Sequence, residues 1–220
     1  MPTILSTKLL RPAQRELCLS AGLGLVAYNA LEIEMLPVEI PMDHENLIFT
    51  SQNAVRAFLQ KAQGRDLSPY RVFCVGQRTA ALLGAHGLQL IKSCDYASQL
   101  APYIVENHPE KKFLFLCGQQ RSQVLPELFD KAGMDYREVA VYSSHPRPRA
   151  YRREFDGILF FSPLGIRSHM MENSLGDSLL FCIGDTTAEE AAKHSKNIMI
   201  AKRPTVENVL VQAINHFRYD

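Results

Sequence analysis

Tryptophan is absent from this chain of 220 residues, and so are a C-x-x-C pair, a long apolar run and an excess of either charge. Each absence excludes something. With 24 Lys and Arg against 23 Asp and Glu the formal net charge is +1, far from the basic surplus of a protein that holds nucleic acid by neutralising many phosphates. The longest stretch without a formal charge, Leu17 to Leu31, is 15 residues with Gly22 and Gly24 inside it, too short to cross the ~30 Å hydrocarbon layer as a helix. The opening MPTILSTKLLRP has no basic stretch followed by an apolar core and a small-residue cleavage site, so no secretory leader is expected and the cytoplasm is the expected compartment. Five cysteines, an odd number, fit neither a disulfide framework nor a zinc knuckle. Cys74, Cys117 and Cys182 sit inside apolar runs and read as small buried hydrophobes. The histidines show no H-x-x-x-H spacing, and no metal site is assigned.

Signatures of nucleotide and hydrolase chemistry are missing as well. There is no G-x-x-x-x-G-K-[ST] phosphate loop, no G-x-G-x-x-G after a strand and no G-x-S-x-G nucleophile elbow. The GLG at 22 to 24 sits at a helix end, where glycine serves as a cap.

What is present is a unit used twice. IFTSQNAVRAF (48–58) resembles LFFSPLGIRSH (159–169), with Phe49/Phe160, Ser51/Ser162 and Arg56/Arg167 in register. FCVGQRTAALL (from Phe73) resembles FCIGDTTAEEA (from Phe181), with Gly76/Gly184 and Thr79/Thr187 in register. Each copy is a short apolar run, a small or polar turn and a helix-forming run, the grammar of strand, turn and helix. Ser51, Asn53, Asp185 and Thr186 are N-cap candidates. A third pair shows the wiring, because FLFLCGQQRSQVLPELFDKAG (113–133) has its counterpart in the N-terminal TILSTKLLRPAQRELCLSAG (3–22). The second copy is thus completed by the chain's own beginning.

At ~150 residues per domain, 220 is long for one domain and short for two unrelated ones, so two small lobes are expected. Lobe A is discontinuous, residues 1–33 plus 147–220, and lobe B is the continuous 39–142, with connections at 34–38 and 143–146. The crossings, ALEIEMLPVEIP (30–41) and REVAVYSSHPRP (137–148), are extended in pattern and closed by prolines. They read as a two-stranded tether, and so narrow a connection makes relative motion of the lobes the expectation. Within lobe B, strands are expected near 46–51, 71–75, 88–92, 113–117 and 137–142, alternating with helices near 53–62, 77–85, 97–106 and 120–132. Such alternation predicts an α/β fold, two flavodoxin-like doubly wound parallel-sheet lobes.

Ligands of such folds bind beyond the carboxyl ends of the strands, where helix N-termini present free N–H groups. The turns at issue are Thr50–Asn53, Gly76–Thr79, Gly118–Arg121, Ser162–Gly165, Gly184–Thr187 and Ser6–Arg11. So many anion-receiving ends favour a large polyanion, which a net charge near zero does not contradict, since backbone dipoles carry no formal charge.

Taken together and in order, IFTSQNAVRAF, CVGQRTA, FLCGQQR with LPELFDKAG, VAVYSS, LFFSPLGIRS, CIGDTTA and KRPTVENVL resemble the uroporphyrinogen-III synthase family over residues 3–212. The resemblance implies a cofactor-free lyase that cyclises hydroxymethylbilane to uroporphyrinogen III, losing water and inverting the last pyrrole ring through a spiro intermediate. Its substrate carries eight carboxylates. By the same resemblance the tyrosine of VAVYSS, here Tyr142, assists loss of the hydroxyl, and Ser51, Gln52, Asn53, Thr79, Ser162, Gly165 and Thr187 bind substrate. A tyrosine packed against the tether and plain helix capping are the respective alternatives. Arg121, Arg11 and Lys8 on adjoining turns are candidate carboxylate partners, with a solvated surface charge as the alternative for each. Two features depart from the family pattern: Leu164 stands where a small or polar residue is usual, and the KLLRP turn is longer than the compact Arg-Pro turn of relatives. The expected partner is the small tetrapyrrole, with no nucleic acid, no membrane, no metal and a monomeric chain. A two-lobed binding protein that holds an anionic metabolite without chemistry is the competing expectation.

Overall fold

The computed structural model describes residues 1–219. In chain order the elements are β1 (Thr3–Ser6), α1 (Pro12–Ser20), β2 (Gly24–Ala27), β3 (Leu31–Met35), β4 (Asn46–Phe49), α2 (Gln52–Lys61), β5 (Arg71–Val75), α3 (Gln77–Ala85), β6 (Gln89–Cys94), α4 (Ala97–Asn107), β7 (Phe113–Gly118), α5 (Val124–Ala132), β8 (Tyr136–Pro146), β9 (Gly157–Phe160), α6 (Pro163–Met170), β10 (Leu179–Cys182), α7 (Asp185–Ala192), β11 (Ile198–Ile200) and α8 (Val206–Tyr219). They form two compact units, residues 1–32 with 145–220 (unit 1) and residues 33–144 (unit 2).

The core of each unit follows from the two-residue period of its strands. In unit 2, Leu47, Phe49, Val72, Cys74, Leu114 and Leu116 face one side of the sheet and pack on Ala54, Val55 and Phe58 of α2 and Leu83 of α3. The alternate residues Ile48, Phe73, Phe113, Phe115 and Cys117 face the other and pack on Leu100 and Ile104 of α4 and Leu125 and Phe129 of α5. Both faces are therefore apolar, which is why β7 reads FLFLCG without a polar residue and is buried from end to end. Unit 1 repeats the division. Leu5, Ile158, Phe160, Leu180 and Cys182 lie with α6 and α7, while Ile4, Leu159 and Phe181 lie with α1 and α8.

Apart from the edge strand β3, which runs against β8, the strands pair in parallel and the sheets are doubly wound, but the strand order is not that of flavodoxin. Unit 2 runs β3-β8-β7-β4-β5-β6 and unit 1 runs β11-β10-β9-β1-β2. Numbered from β4 and from β9, each unit has the order 3-2-1-4-5, with β3 added at the edge of unit 2, whereas flavodoxin has 2-1-3-4-5. Alternating strands and helices dictate parallel pairing with crossovers, and they do not dictate which face each crossover takes. The N-terminal β1 pairs with β9 on one side and β2 on the other, so the chain's first strand sits inside the sheet that its last third builds. Glu207 at the start of α8 ties this junction, its Oε1 accepting from Arg11 Nη2 and Gln14 Nε2, each at 2.7 Å.

Two local expectations shift. Gly184, with no side chain, is the N-cap of α7, so Asp185 and Thr186 fall inside its first turn. Helix α5 starts at Val124 instead of 120, because the side chains of Gln120 and Arg121 bond to β8 and hold residues 119–121 out of the helix. Among the described residues, no helix is long and apolar enough to cross a membrane.

Candidate active site

Beyond the carboxyl ends of the strands in unit 2 lies a pocket of about 290 Å³, lined among others by Thr50, Gln120, Arg121, Ser122 and Tyr142. Tyr142 reaches it through an irregularity in the pairing of β7 with β8. Cys117 is opposite Ala140, yet the next residue, Gly118, is opposite Tyr142. The skipped Val141 turns into the core at 1% exposure, and the extra residue re-aims the chain, as bulges do beside functional sites. The tyrosine ring then lies where a side chain at 118 would stand. A Cβ built on Gly118 would be 2.6 Å from Tyr142 Cζ and 2.8 Å from both Cε2 and the hydroxyl oxygen, closer than any real contact, so only glycine admits this ring position.

The turn after β7 is stapled to β8 residue by residue. Gln119 N–H donates to Tyr142 O at 2.8 Å. Gln120 Nε2 donates to Ser143 Oγ at 3.3 Å, and its Oε1 accepts from Ser144 N–H at 3.0 Å. Arg121 Nε and Nη2 both meet Glu138 Oε2, at 2.8 and 2.7 Å, and its Nη1 donates to Gln123 Oε1 at 2.6 Å. The guanidinium is thus already paired within its own sheet. Burial raises the pKa of the half-buried Tyr142 phenol, and a hydrogen bond with the Ser51 side chain works against that rise. The phenol is accordingly neutral near pH 7, a proton donor by default.

Ser51 is also the N-cap of α2, its Oγ accepting from Asn53 N–H at 3.1 Å. Gln52 and Asn53 turn their amide oxygens to Arg56, whose Nη2 and Nη1 they receive at 3.3 and 3.1 Å. In unit 1 the equivalent N-cap is Ser162, accepting from Gly165 N–H at 3.0 Å. A Cβ at Gly165 would stand 3.2 Å from that hydroxyl, so a small residue is needed for the approach. Thr79 and Thr187 correspond in a further respect. Each is buried in the first turn of its helix, with its N–H on the carbonyl of a glycine N-cap, Gly76 at 3.0 Å and Gly184 at 3.1 Å. Gly76 takes φ 88°, a left-handed conformation that favours glycine.

The site residues therefore divide by unit, Ser51, Gln52, Asn53, Thr79, Arg121 and Tyr142 in unit 2, and Ser162, Gly165 and Thr187 in unit 1. Sequence reasoning had Gly118–Arg121 only as one of six anion-receiving turns and missed that Gly118 and Gln120 set the tyrosine; it gave Arg56 no role beyond its register with Arg167 in the repeat. Among the described residues no group of three or more His, Cys, Asp or Glu is placed to hold a metal ion.

Two α/β units of one strand order, each with its polar turns beyond the carboxyl ends of the strands, define a duplicated doubly wound protein. The chain belongs to the uroporphyrinogen-III synthase family, since the family described as uroporphyrinogen-III synthase HemD matches residues 14–210. The fold is similar to that of uroporphyrinogen-III synthetase from Helicobacter pylori, with 20% identity, a TM-score of 0.75, and coverage of 98% of this chain and 100% of that one. It is also similar to a mutant uroporphyrinogen III synthase from the extremely thermophilic bacterium Thermus thermophilus, with 15% identity, a TM-score of 0.67 and 98% coverage of both chains.

Proposed function

We propose that this protein closes hydroxymethylbilane to uroporphyrinogen III as a cofactor-independent lyase, with Tyr142 as the proton donor. Family membership supplies the reaction. The observation that carries the assignment of residues is the Tyr142 phenol, held protonated in a walled pocket by the missing side chain of Gly118 and the clamp of Gln119 to Arg121. The C–O bond of the terminal hydroxymethyl group breaks with its electron pair leaving on oxygen, which takes the phenol proton and departs as water. The adjoining pyrrole nitrogen stabilises the cation left behind. The α-carbon of the last pyrrole that already carries its bridge supplies the electron pair for a first new C–C bond, giving a spiro intermediate. Its bond to the old bridge then breaks, leaving a second pyrrole-stabilised cation on the neighbouring ring. The inverted ring closes on that cation through its free α-carbon, whose released proton restores the phenol. During departure the phenoxide is supported by Ser51, whose hydrogen bond favours the charged form.

The protein's remaining task is to hold a flexible polycarboxylate in one productive shape. Ser51, Gln52 and Asn53 with Thr79, and Ser162 and Gly165 with Thr187, place helix N-termini for those carboxylates, and Arg121, its charge matched by Glu138, fixes the pocket wall to β8. Five free cysteines suit a monomeric enzyme of a reducing cytoplasm acting on a diffusing substrate.

The test is to supply hydroxymethylbilane and separate type III from type I uroporphyrinogen by chromatography. Spontaneous closure gives type I. The wild type should give type III, and Tyr142→Phe should slow its formation at least ~10-fold without lowering Tm, the range expected for a lost general acid. Type III no higher than in the protein-free control would end the reading.

A further inference from the structure

Unit 1 carries a second cavity beyond the carboxyl ends of β1 and β2, of about 420 Å³, lined by Leu9, Tyr28, Asn29, Arg147 and Arg149 among others and by no acidic residue. β1 and β2 are the fourth and fifth strands of unit 1 in the 3-2-1-4-5 order, as β7 and β8 are in unit 2, so this cavity shares the part of the Tyr142 pocket that lies beyond those two strands, without the part lined by Thr50, Val75 and Ala97. A larger cavity of about 660 Å³ lies at the opposite, amino ends of β9 and β10, where the carboxylates of Glu154, Asp156, Glu172 and Asp177 outnumber the guanidinium groups of Arg152 and Arg153, a lining less suited to an anion.

We infer that the cavity beyond β1 and β2 is a carboxylate subsite, in which Arg147 and Arg149 take an acetate or propionate side chain of the tetrapyrrole. The inference rests on the substrate proposed above. Of the four arginines in the segment RPRAYRR (147–153), Arg147 and Arg149 line this cavity, while Arg152 and Arg153 line the larger one. Arg11, Arg121 and Arg167 each have a carboxylate partner, Glu207, Glu138 and Glu190. Arg147 and Arg149 are exposed and have none among the described residues.

Their placement is built, which separates this pair from loose surface charge. The Arg147 N–H donates to Ala30 O at 2.8 Å and to Ser168 Oγ at 3.0 Å. The Ser168 hydroxyl, fully buried, donates in turn to Ala30 O at 2.6 Å. The backbone of 147 is thereby pinned to the end of the 27–30 segment, and its side chain is free for other work. The Arg149 guanidinium lies over the Tyr151 ring, 5.6 Å from its centroid. Stacking occupies the face of the fork and leaves its N–H edges open for the bidentate carboxylate geometry that arginine favours.

The experiment compares wild type with Arg147→Met/Arg149→Met and Arg147→Lys/Arg149→Lys in hydroxymethylbilane turnover, and measures binding of uroporphyrin III by its fluorescence. Expected for the Met pair is a rise of about 10-fold in KM and in the uroporphyrin Kd, with kcat within about twofold and Tm unchanged, as befits loss of uniform binding. The Lys pair should recover most of the loss, and added salt should weaken wild type more than the Met pair. Uroporphyrin Kd unchanged in the Met pair overturns the subsite, and so does a Lys pair no better than the Met pair, since shape and not charge would then be at work. A wild type that binds uroporphyrin through these arginines yet forms no type III product would sink the proposed reaction and leave the subsite standing.

Discussion

Replacing Gly118 by alanine puts a methyl carbon 2.6 Å from Cζ of Tyr142 and 2.8 Å from its hydroxyl oxygen. A relaxed contact between carbons is ~3.5–4.0 Å, so the ring or the β7 backbone must yield by about 1 Å. The backbone is the stiffer partner, because β7 is buried along its whole length and paired with strands on both sides. The ring has the 290 Å³ pocket to retreat into, which keeps the stability cost near the low end of overpacking, ~1 kcal/mol or roughly 2–4 °C in Tm for a chain of this size. The catalytic cost is larger, because misplacing a reacting group by ~1 Å can lose ~100-fold in rate. We therefore expect Gly118→Ala to lower kcat between ~10- and ~100-fold with KM little changed. The decisive assay is a double-mutant cycle in hydroxymethylbilane turnover. If Gly118 acts through Tyr142, adding Gly118→Ala to Tyr142→Phe costs less than ~2-fold more, because the two substitutions remove one interaction. A fully active Gly118→Ala enzyme, or two losses that simply multiply, would refute the reasoning.

Ser51→Ala removes both the α2 cap and the hydrogen bond that favours the phenoxide. Stability should fall by about 1 kcal/mol and the Tyr142 titration should move upward in an ultraviolet difference titration. His169, 1% exposed and 3.3 Å from the Tyr28 hydroxyl, has its pKa lowered from 6.5 to about 4 by burial. The unfolded chain therefore binds the proton first as pH falls, so stability is complete above pH ~6.5 and declines by up to ~3 kcal/mol on the way to pH 4. In thermal melts against pH, His169→Gln, which keeps a polar partner for Tyr28 without titrating, should flatten the upper part of that decline.

What could be read in the sequence was whatever depends on neighbours along the chain. Ser51 and Ser162 cap α2 and α6 because a hydroxyl just ahead of a helix-forming run has a free N–H within reach, and the core divides face by face because strand residues alternate. Strand order was not readable in this way. The motif grammar is the same for 2-1-3-4-5 and 3-2-1-4-5, and the choice lies in which crossover passes over which face. The register shift that aims Tyr142 was hidden too, since a bulge is a relation between two strands 23 residues apart, and its one local mark is a glycine at the end of FLFLCG. Gln120 and Arg121 misled the placement of α5 for a similar reason. Both are good helix formers, and only their partners on β8, Ser143, Ser144 and Glu138, keep them in the turn.

The repeat makes the consequence of that shift visible, because unit 1 lacks it. Ser6 is opposite Ala27 as Cys117 is opposite Ala140, and the residue after Ala27 is Tyr28, which goes straight into the core. Unit 2 inserts one residue. Val141 takes the core position, and the tyrosine that follows lies against Gly118 with its ring beside the pocket. At the place of Gly118 unit 1 has Thr7, whose hydroxyl donates to Leu159 O at 2.8 Å and so serves the sheet. One fold, used twice, thus has a tyrosine after the fifth strand's alanine in both units, and a single added residue decides whether it is a buried structural ring or a phenol beside a pocket. Unit 1, with its tyrosine committed to His169 in the core, has beyond β1 and β2 the cavity lined by Arg147 and Arg149. Transferring the chemistry would need both changes at once, a residue inserted after Ala27 and a glycine at Thr7, since either alone leaves the ring in the core or without room against the strand.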